Sequence, residues 1–477
     1  MPPARQVYLL DPQKLKPETI AVTFAKTSRS PQSFREIAAE LTDEKSAEFN
    51  EKWVVGYGHS SVAEHAVLHL AVENISRLAV ETLESNRLAS YTEKSTRYQK
   101  WSAQDFYLPE ELSGSQYETL FQNTCELLFQ TYQQSLQAVR ELFMEENPRK
   151  PEESEAAWER RIRSDYIDVC RFLLPAASLA NVGMTINARG LEHAIQKMLS
   201  HPLAEVRSIG EEIKATSIAE VPTLIKYADH VPYLEKSRLN LTSKQVNLPD
   251  FENHEKGCPV GCKLISFDSQ AEINILSSAL FRFGQDDFSK IKEYVQSLSP
   301  AEQRQIAGKL LADRSPFDEP LRETEYATFT FELLVDQGAY FEIKRHRMMT
   351  QTPQPLTADL GYAVPRKIVD AGLESAYRHA METARQAYQQ IASLNPFAAS
   401  YVVPNGFNRR VLLSFNLRSA DHFISLRSAP NAHFSVRRVT HWIAEQLRGN
   451  LPVLGSYLRE SPGETWQDVE SRYFRQV

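Results

Sequence analysis

The strongest constraint in this sequence is an internal repeat, because two related segments in one chain predict two copies of one folded unit. Residues 185–207 read TINARGLEHAIQKMLSHPLAEVR, and residues 414–437 read SFNLRSADHFISLRSAPNAHFSVR. At one constant offset they share an Asn, an Arg and a His: Asn187, Arg189 and His193 in the first, Asn416, Arg418 and His422 in the second. Both segments begin with alternating apolar residues and then become helical, which places the Arg and the His on one helix face.

A second pair of related segments lies upstream, at residues 64–87 and 325–347. Each opens with an alternating run that predicts a strand, from Val67 to Val72 and from Thr328 to Leu333. Each then continues into a helical segment and ends in a basic cluster. The offset is about thirty residues larger than for the first pair. The first copy therefore contains an insertion, and the charged stretch 146–163 is the candidate, as a solvated loop or helix.

Each copy also contains a long amphipathic helix between its two motifs, at 117–143 and at 373–391, whose apolar faces we assign to the core. From Asp229 to about Lys256 the chain is polar and without periodicity. We therefore predict a first copy at 1–230, a linker at 231–262 and a second copy at 263–477. Short strands and helices alternate in no βαβ rhythm, so the predicted fold class is α+β.

Composition excludes several classes of function. The 477 residues carry a formal charge of −7 with no basic block, which disfavours nucleic-acid binding. No apolar run has the length of a membrane span, and the N-terminus lacks a secretory signal. Four cysteines in so long a chain suggest the reducing cytoplasm. The spacing of His254, Cys258 and Cys262 permits a metal site, but we expect none, because zinc prefers the tighter C-x2-C knuckle.

The ordered motifs resemble those of the flavin-dependent thymidylate synthases, whose unit is about as long as one copy here. That family has a G-H-x-[ST]-x-x-E-H segment, an R-H-R triplet, a segment ending S-x-R-Y, and an N-A-R segment with a downstream Arg. The first copy contains GHSSVAEH at 58–65, STRY at 95–98, NAR at 187–189, and Arg171 four residues before Pro175. The second copy contains RHR at 345–347, NLR at 416–418, and Arg427. The resemblance implies two tandem domains, each a small, mostly antiparallel sheet with long helices.

The departures from the family pattern are complementary between the copies. In the first copy R-H-R is replaced by Ser85, Asn86 and Arg87, and the downstream Arg by Met198 or nearby Lys197. The second copy lacks both the G-H-x-S segment and S-x-R-Y, and Ser400 stands where the first copy has Arg171. These losses suggest the hypothesis that one composite site is built from two half-sites. The family's tetramer would then correspond to a homodimer of fused chains, a pseudo-tetramer.

The family's reaction, as the resemblance implies, is reductive methylation of dUMP to dTMP, with methylenetetrahydrofolate as carbon donor, FAD as hydride carrier and NADPH as reductant. The binding partners implied are a dUMP-like nucleotide and a folate. Substrate-binding residues would be Ser95, Thr96, Arg97, Arg171 and Arg427. Catalytic residues facing the base would be Arg345, His346 and Arg427. Cofactor contacts would come from His59, Ser61, Glu64, Arg87, Arg347, Asn187, Arg189, His193, Asn416, Arg418 and His422.

Several of these residues have structural alternatives. Arg189 and Arg418 could tie a helix start to a sheet, and Glu64 could be a satisfied core carboxylate. His69, His379, His433 and His441 are treated as ordinary. Two other functions also stay open: flavin-dependent methylation of another pyrimidine, and a degenerate relative that binds flavin or nucleotide without turnover.

Overall fold

The computed structural model describes residues 6–28, 30–242 and 261–475. His254 and Cys258 of the candidate metal spacing lie outside the described residues. Cys262 is a buried, free thiol, as are Cys125 and Cys170. Within the described ranges, no group of three or more His, Cys, Asp or Glu side chains is arranged to hold a metal ion.

In the first half of the chain, strands and helices follow one another in an α+β pattern. The strands are β1 (Val67–Ser76), β2 (Ala89–Glu93) and β3 (Leu179–Asn187). The helices are α1 (Pro17–Thr27), α2 (Phe34–Glu40), α3 (Asp43–Asn50), α4 (Arg77–Leu83), α5 (Glu118–Glu146), α6 (Glu155–Cys170), α7 (Ala188–Leu199), α8 (Ala204–Ser217) and α9 (Pro232–Asn240). A π-helical stretch, Glu51–Gly56, and a 3₁₀ helix, Ser60–His65, precede β1.

The second half repeats this pattern and adds one strand at its start. The strands are β4 (Gly261–Phe267), β5 (Thr328–Asp336), β6 (Thr350–Pro353) and β7 (Asn408–Asn416). The helices are α10 (Ala271–Phe283), α11 (Phe288–Ser297), α12 (Pro300–Leu311), α13 (Gln337–Ile343), α14 (Arg366–Asp370), α15 (Glu374–Ala392), α16 (Pro396–Ala399), α17 (Leu417–Arg427), α18 (Phe434–Asn450) and α19 (Trp466–Tyr473).

The strand registers confirm the repeat. One sheet has the order β1-β3-β2 and the other β4-β5-β7-β6, with antiparallel pairing throughout. The motif Asn at the end of β3 lies opposite the first residue of β1, Asn187 opposite Val67. Likewise, the motif Asn at the end of β7 lies opposite the first residue of β5, Asn416 opposite Thr328. β1 is one residue longer than β5, and the pairing shifts near Asn74, whose φ is +57°. The extra residue therefore forms a β-bulge.

The chain packs as two compact units whose membership differs from the linear order of the copies. Within the described residues, the first unit contains the chain up to Lys94, Phe106–Ser115, and 177–242. The second contains Ser95–Asp105, Gln116–Ala176, and 261–475. The second unit thus combines the STRY segment, α5 and α6 of the first copy with the whole of the second copy. Inside it, α5 packs against α15. The repeat boundaries at 230 and 262 stay a prediction about the sequence.

The insertion and the start of the linker have helical structure. The charged stretch 146–163 leads into α6, capped by Ser154, whose hydroxyl accepts a hydrogen bond from the Ala157 amide. Helix α9 lies in the predicted linker, and none of its residues is buried. The lack of an apolar face in the sequence of this segment agrees with a helix that has no fully buried residue.

Candidate functional site

Arg97, in the STRY segment of the first copy, is held by a carboxylate from the same copy. Its Nε lies 2.8 and 3.0 Å from the two carboxylate oxygens of Asp168, and its second terminal nitrogen lies 2.6 Å from Oδ2. The remaining terminal nitrogen donates to the backbone carbonyl of Asn431, in the second copy, at 3.0 Å. Asp168 is buried on α6. This forked pairing fixes the guanidinium plane of Arg97.

Arg171 follows α6 by one residue and has a side chain only 1% exposed. Its terminal nitrogens donate to the hydroxyl of Thr96 and to the backbone carbonyl of Gly338, both at 3.1 Å. It also lies 3.6 Å from a carboxylate oxygen of Glu342. Its Nε–H has no acceptor among the described residues. In this arrangement Arg171 supports Thr96 from behind and bridges the first copy to the second.

Glu342 is the buried carboxylate at the centre of the cluster. It lies on α13, one turn before the RHR triplet, and its second oxygen accepts from Arg427 at 2.9 Å. Burial alone would raise its pKa, but the positive charges of Arg171, Arg345, Arg427 and Arg97 outweigh burial and lower the pKa to about 2. Glu342 therefore stays ionised and offsets part of the positive charge.

His346, the middle residue of the triplet, is a neutral acceptor. Its Nε2 accepts a hydrogen bond from Nε of Arg427 at 2.9 Å, and its ring packs edge-on against Phe423. Burial, followed by the charge of Arg427, lowers its pKa to about 3. An imidazole that accepts from a guanidinium cannot carry a proton on that nitrogen, so the geometry and the lowered pKa agree.

Together these contacts join Arg97 and Arg171 of the first copy to Glu342, His346 and Arg427 of the second copy in one cluster. Four guanidinium groups, those of Arg97, Arg171, Arg345 and Arg427, lie around the buried carboxylate of Glu342, and Arg97 also pairs with Asp168. Arg345 is exposed, and the side chains of Arg97 and Arg427 are about 15% and 14% exposed. A partly exposed cluster of guanidinium groups suits an anionic ligand.

The family follows from a comparison with known proteins. The family model for the thymidylate synthase complementing protein matches this chain twice, over residues 10–223 and 263–453. The chain belongs to this family. The two matches coincide with the two copies of the repeat.

Individual relatives agree with membership of the thymidylate synthase complementing protein family. A UPF0159 protein of Chlamydia muridarum is 31% identical over 433 residues, covering 88% of this chain and 82% of its own length. A flavin-dependent thymidylate synthase of Clostridium tetani is 26% identical over 214 residues, which is 44% of this chain and 82% of its own. The alignment with a solved UMP/dUMP methylase from Streptomyces cacaoi covers 43% of this chain and 98% of the methylase chain, with a TM-score of 0.34 at 16% identity.

The remaining motif residues of the second copy lie in the same compact unit, most of them on or next to α17. The side-chain oxygen of Asn416 accepts from the Ser419 amide at 2.8 Å and so caps α17. Arg418 donates to the carbonyl of Pro320 and pairs with Glu325. His422 is exposed, 5.7 Å from the ring of His346. Arg347 lies at the half-buried end of the triplet.

The first copy's motif residues belong to the first unit. His59, Ser61 and Arg87 are exposed. On α7, Arg189, His193 and Lys197 are spaced four apart and form a basic stripe. Arg189 pairs with Glu64, and Lys197 donates to Ser85 at 2.6 Å. Glu64 is 43% exposed, so its assignment as a core carboxylate is wrong, because the 3₁₀ helix that carries it lies at the surface.

The sequence reasoning missed three residues that organise the cluster: Asp168, Glu342 and His433. Two had a signal in the sequence, because Asp168 stands three residues before Arg171 and Glu342 three before Arg345, a spacing that aligns side chains on a helix. His433 had none, because its partner is far away in the chain. No helix among the described residues is long and apolar enough to cross a membrane.

Proposed function

We propose that this protein catalyses the FAD-dependent reductive methylation of dUMP to dTMP, with methylenetetrahydrofolate as carbon donor and NADPH as reductant. Family membership and the names of its relatives support a flavin-dependent nucleotide methylation. The observation that carries the proposal is the arginine cluster, in which residues of both copies surround Glu342. We infer that the nucleotide site is composite, with the phosphate-side residues from one copy and the base-side residues from the other.

The dUMP phosphate carries about two negative charges near neutral pH, and guanidinium groups are suitable donors to such an anion. Arg97 and the hydroxyls of Ser95 and Thr96 would bind the phosphate, with Arg171 holding Thr96 in place. Charge-assisted hydrogen bonds of this kind contribute roughly 1.5–3 kcal/mol each. Arg97 and Arg171 already satisfy acceptors of the protein, so the phosphate would add to a prearranged network.

On the base side, Arg345 and Arg427 would face the uracil. A guanidinium beside a uracil carbonyl stabilises negative charge on that oxygen during attack on the electrophilic carbon. His346 would act through Arg427, because its neutral Nε2 accepts from that guanidinium and fixes its plane. Arg345 is exposed and able to reach a ligand without a rearrangement of the core.

The residues of the first unit fit a flavin dinucleotide by the chemistry of their donors. Gly58 adopts a φ of +74°, and open space surrounds the position where a side chain would begin. Beside it in the chain stand His59 and Ser61, and the stripe on α7 adds cationic donors. We propose that these residues, together with Glu64, Arg87, Asn187, Arg189 and His193, make flavin contacts in the first unit. In the second unit, we propose flavin contacts from Arg347, Asn416, Arg418 and His422. Bound FAD supplies the hydride for the reduction.

The side-chain oxygens of Asn187 and Asn416 are committed to helix caps, so a cofactor contact there would use the amide NH₂ group.

We further propose a cytoplasmic homodimer of fused chains, a pseudo-tetramer. Sedimentation velocity on the purified protein tests the oligomer directly, since a monomer contradicts it.

The composite site is tested by titrating dUMP into the purified protein and into the variants Arg97→Ala and Arg345→Ala. One substitution lies in each copy, and both are expected to weaken binding by about tenfold or more, since each removes a charged donor. Arg282→Ala is the matched control, because Arg282 is half-exposed in the same unit and pairs with Glu323. Wild-type affinity in either test variant would contradict a shared site.

A second candidate is a relative that binds nucleotide or flavin without turnover. The observation that favours it is that Arg97 and Arg171 are already paired with Asp168 and Glu342. Methyl transfer assays on dUMP and on other pyrimidine nucleotides separate the two. Flavin retention without transfer to any pyrimidine would favour the second candidate, and transfer to a different pyrimidine would change only the substrate.

A further inference from the structure

The loop between α17 and α18, residues 428–433, connects the base-side arginine to the phosphate-side arginine. It begins directly after Arg427 and contacts first-copy residues through two groups. The carbonyl of Asn431 accepts from Arg97 at 3.0 Å, and the ring of His433 lies 3.2 Å from the backbone carbonyl of Asp168. These contacts join segments 334 and 265 residues apart in the chain.

The hydrogen bonds of His433 fix its tautomer. The backbone N–H of Ser435 donates to Nδ1 at 3.1 Å, so Nδ1 is the acceptor and the proton resides on Nε2. That Nε2–H then donates to the carbonyl of Asp168. Burial, followed by the charges of Arg171 and Arg97, lowers the pKa of His433 well below its ordinary value, so the ring is neutral.

The imidazole ring is buried in a cluster of aromatic rings. His433 is 1% exposed. Its ring stacks on Phe434 at 4.3 Å and lies 5.7 Å from Phe172, which follows Arg171 in the chain. Phe434 is in turn stacked on Tyr473 at 4.9 Å. A ring that is buried and packed in this way keeps its hydrogen bonds, so it holds the loop 428–433 at a fixed distance from α6.

We propose that His433 is a positioning residue that holds the Asp168–Arg97 pair of the first copy in register with Arg427 of the second. It contacts neither ligand nor reacting atoms. Its Nε2–H donates to the backbone carbonyl of Asp168, whose carboxylate fixes the plane of the Arg97 guanidinium. Since the loop that carries it starts at Arg427, the imidazole helps to set the separation between the two halves of the cluster, beside the contacts of Arg97 and Arg171. Its effect on nucleotide affinity rests on the proposed function, whereas its effect on the register does not.

The experiment compares His433→Phe, which keeps a ring but removes the donor, with His433→Gln, which retains an amide donor. His441→Gln is the matched control, because His441 lies on α18, the helix that begins directly after His433, is 2% exposed, and pairs with Glu460 rather than with first-copy residues. The first readout is hydrogen exchange of 95–105 and 164–171, which needs no ligand. We expect exchange about tenfold faster in His433→Phe, near wild type in His433→Gln, and unchanged in these segments in His441→Gln.

The second readout is the dissociation constant for dUMP. We expect about tenfold weaker binding in His433→Phe and recovery to within about threefold in His433→Gln. Unchanged exchange in a folded His433→Phe, or equal acceleration in His441→Gln, overturns the positioning role. Faster exchange together with a wild-type protein that does not bind dUMP supports the positioning role and contradicts the proposed function instead.

Discussion

At the scale of single residues, this protein buries several charged and titratable groups beside one another. Glu342 stays ionised because four guanidinium groups surround it, and His346 stays neutral because it is buried next to Arg427. Each group is tolerable only because of its neighbours, since an isolated buried charge costs several kcal/mol. Substitutions at these positions should therefore affect stability more than their size suggests.

The substitution Glu342→Gln should lower the midpoint of thermal unfolding markedly. It removes one of the carboxylates that offset the charge of the buried Arg171 guanidinium, and breaking a buried ion pair costs about 3–5 kcal/mol. Glu332→Gln serves as the control, because Glu332 pairs with Arg410 near the surface, where such pairs contribute about 0–1 kcal/mol. Equal shifts in the two midpoints, measured by calorimetry, would show that the cluster does not depend on Glu342.

The substitution His346→Gln should reduce the loss of stability on mild acidification. The pKa of His346 in the folded protein, about 3, lies below its ordinary value of 6.5. Between these two pH values, the imidazole is protonated in the unfolded chain and neutral in the folded chain. Stability from this group is complete above pH 6.5 and declines as pH falls toward 3, by at most about 1.4 kcal/mol per pH unit. Unfolding midpoints at pH 7.5 and 5.0 would test this.

In wild type the midpoint should fall further between these two pH values than in His346→Gln. His379→Gln, at an exposed position on α15, should behave as wild type. His433, and His201 with a pKa lowered to about 4 by burial, contribute in the same direction and remain in all three proteins. The same pH dependence in His346→Gln as in wild type would contradict a neutral buried His346.

At the scale of elements, the two copies use different residues to cap the helix that follows the first long strand. The helix after the first long strand is capped by Ser76 in one copy and by Asp336 in the other. Ser76 donates to Glu205 at 2.6 Å, whereas Asp336 accepts from Ser435. The hydroxyl and the carboxylate have exchanged places between the copies. Such an exchange keeps the hydrogen bond while the sequence similarity disappears.

The double substitution Asp336→Ser with Ser435→Glu should be more stable than either single change. Each single variant leaves two hydroxyls or two carboxylates facing each other in a buried position, and the double variant restores one of each. Contacting pairs of this kind couple by roughly 0.5–3 kcal/mol. Thermal unfolding of the three variants measures the coupling, and additive effects would show that the pair is not the unit of stability.

The substitutions Asn187→Ala and Asn416→Ala should destabilise the protein by similar amounts, about 1 kcal/mol each, because each removes a helix cap. Asn416→Ser keeps a capping oxygen and loses the amide NH₂. Flavin content after gel filtration then separates the two roles of Asn416. Full flavin retention in Asn416→Ser would indicate a cap alone, and loss of flavin at normal stability would indicate a cofactor contact.

At the scale of the whole molecule, the compact units exchange segments between the copies. The second unit takes in Ser95–Asp105 and Gln116–Ala176 of the first copy, which include the STRY segment and α5. The second unit therefore contains α5, α6, Arg97 and Arg171 of the first copy together with the second copy. This exchange is the structural basis for a composite site in a single chain.

Cleavage at a protease site introduced within residues 243–260 should leave the two fragments associated. Residues 95–105, 116–176 and 261–475 form one compact unit, so separating the fragments would expose the faces of α5 and α15 that pack together. Gel filtration after cleavage should show one peak at the elution volume of the uncut protein. Two separate folded peaks would contradict the exchange.

The sequence by itself determined the repeat, the strands and the helix faces, because these depend on residue spacing over a few turns. The strands predicted from Val67 and from Thr328 are present. The helices predicted at 117–143 and 373–391 are present as Glu118–Glu146 and Glu374–Ala392. The motifs also identified the arginines of the cluster, since their order along the chain carries the family pattern. The helix-capping role of the motif Asn residues was not anticipated, although Asn is a favoured cap.

Only the tertiary structure decided which groups meet. Arg97 reaches Asn431 across 334 residues, and His433, treated as ordinary in the sequence, reaches Asp168 across 265. Such contacts leave no local periodicity, because they arise from how segments pack rather than from how one segment repeats. The same holds for the charge state of Glu342, which its own helix does not set. Four arginines from two distant parts of the chain converge on that carboxylate and keep it ionised.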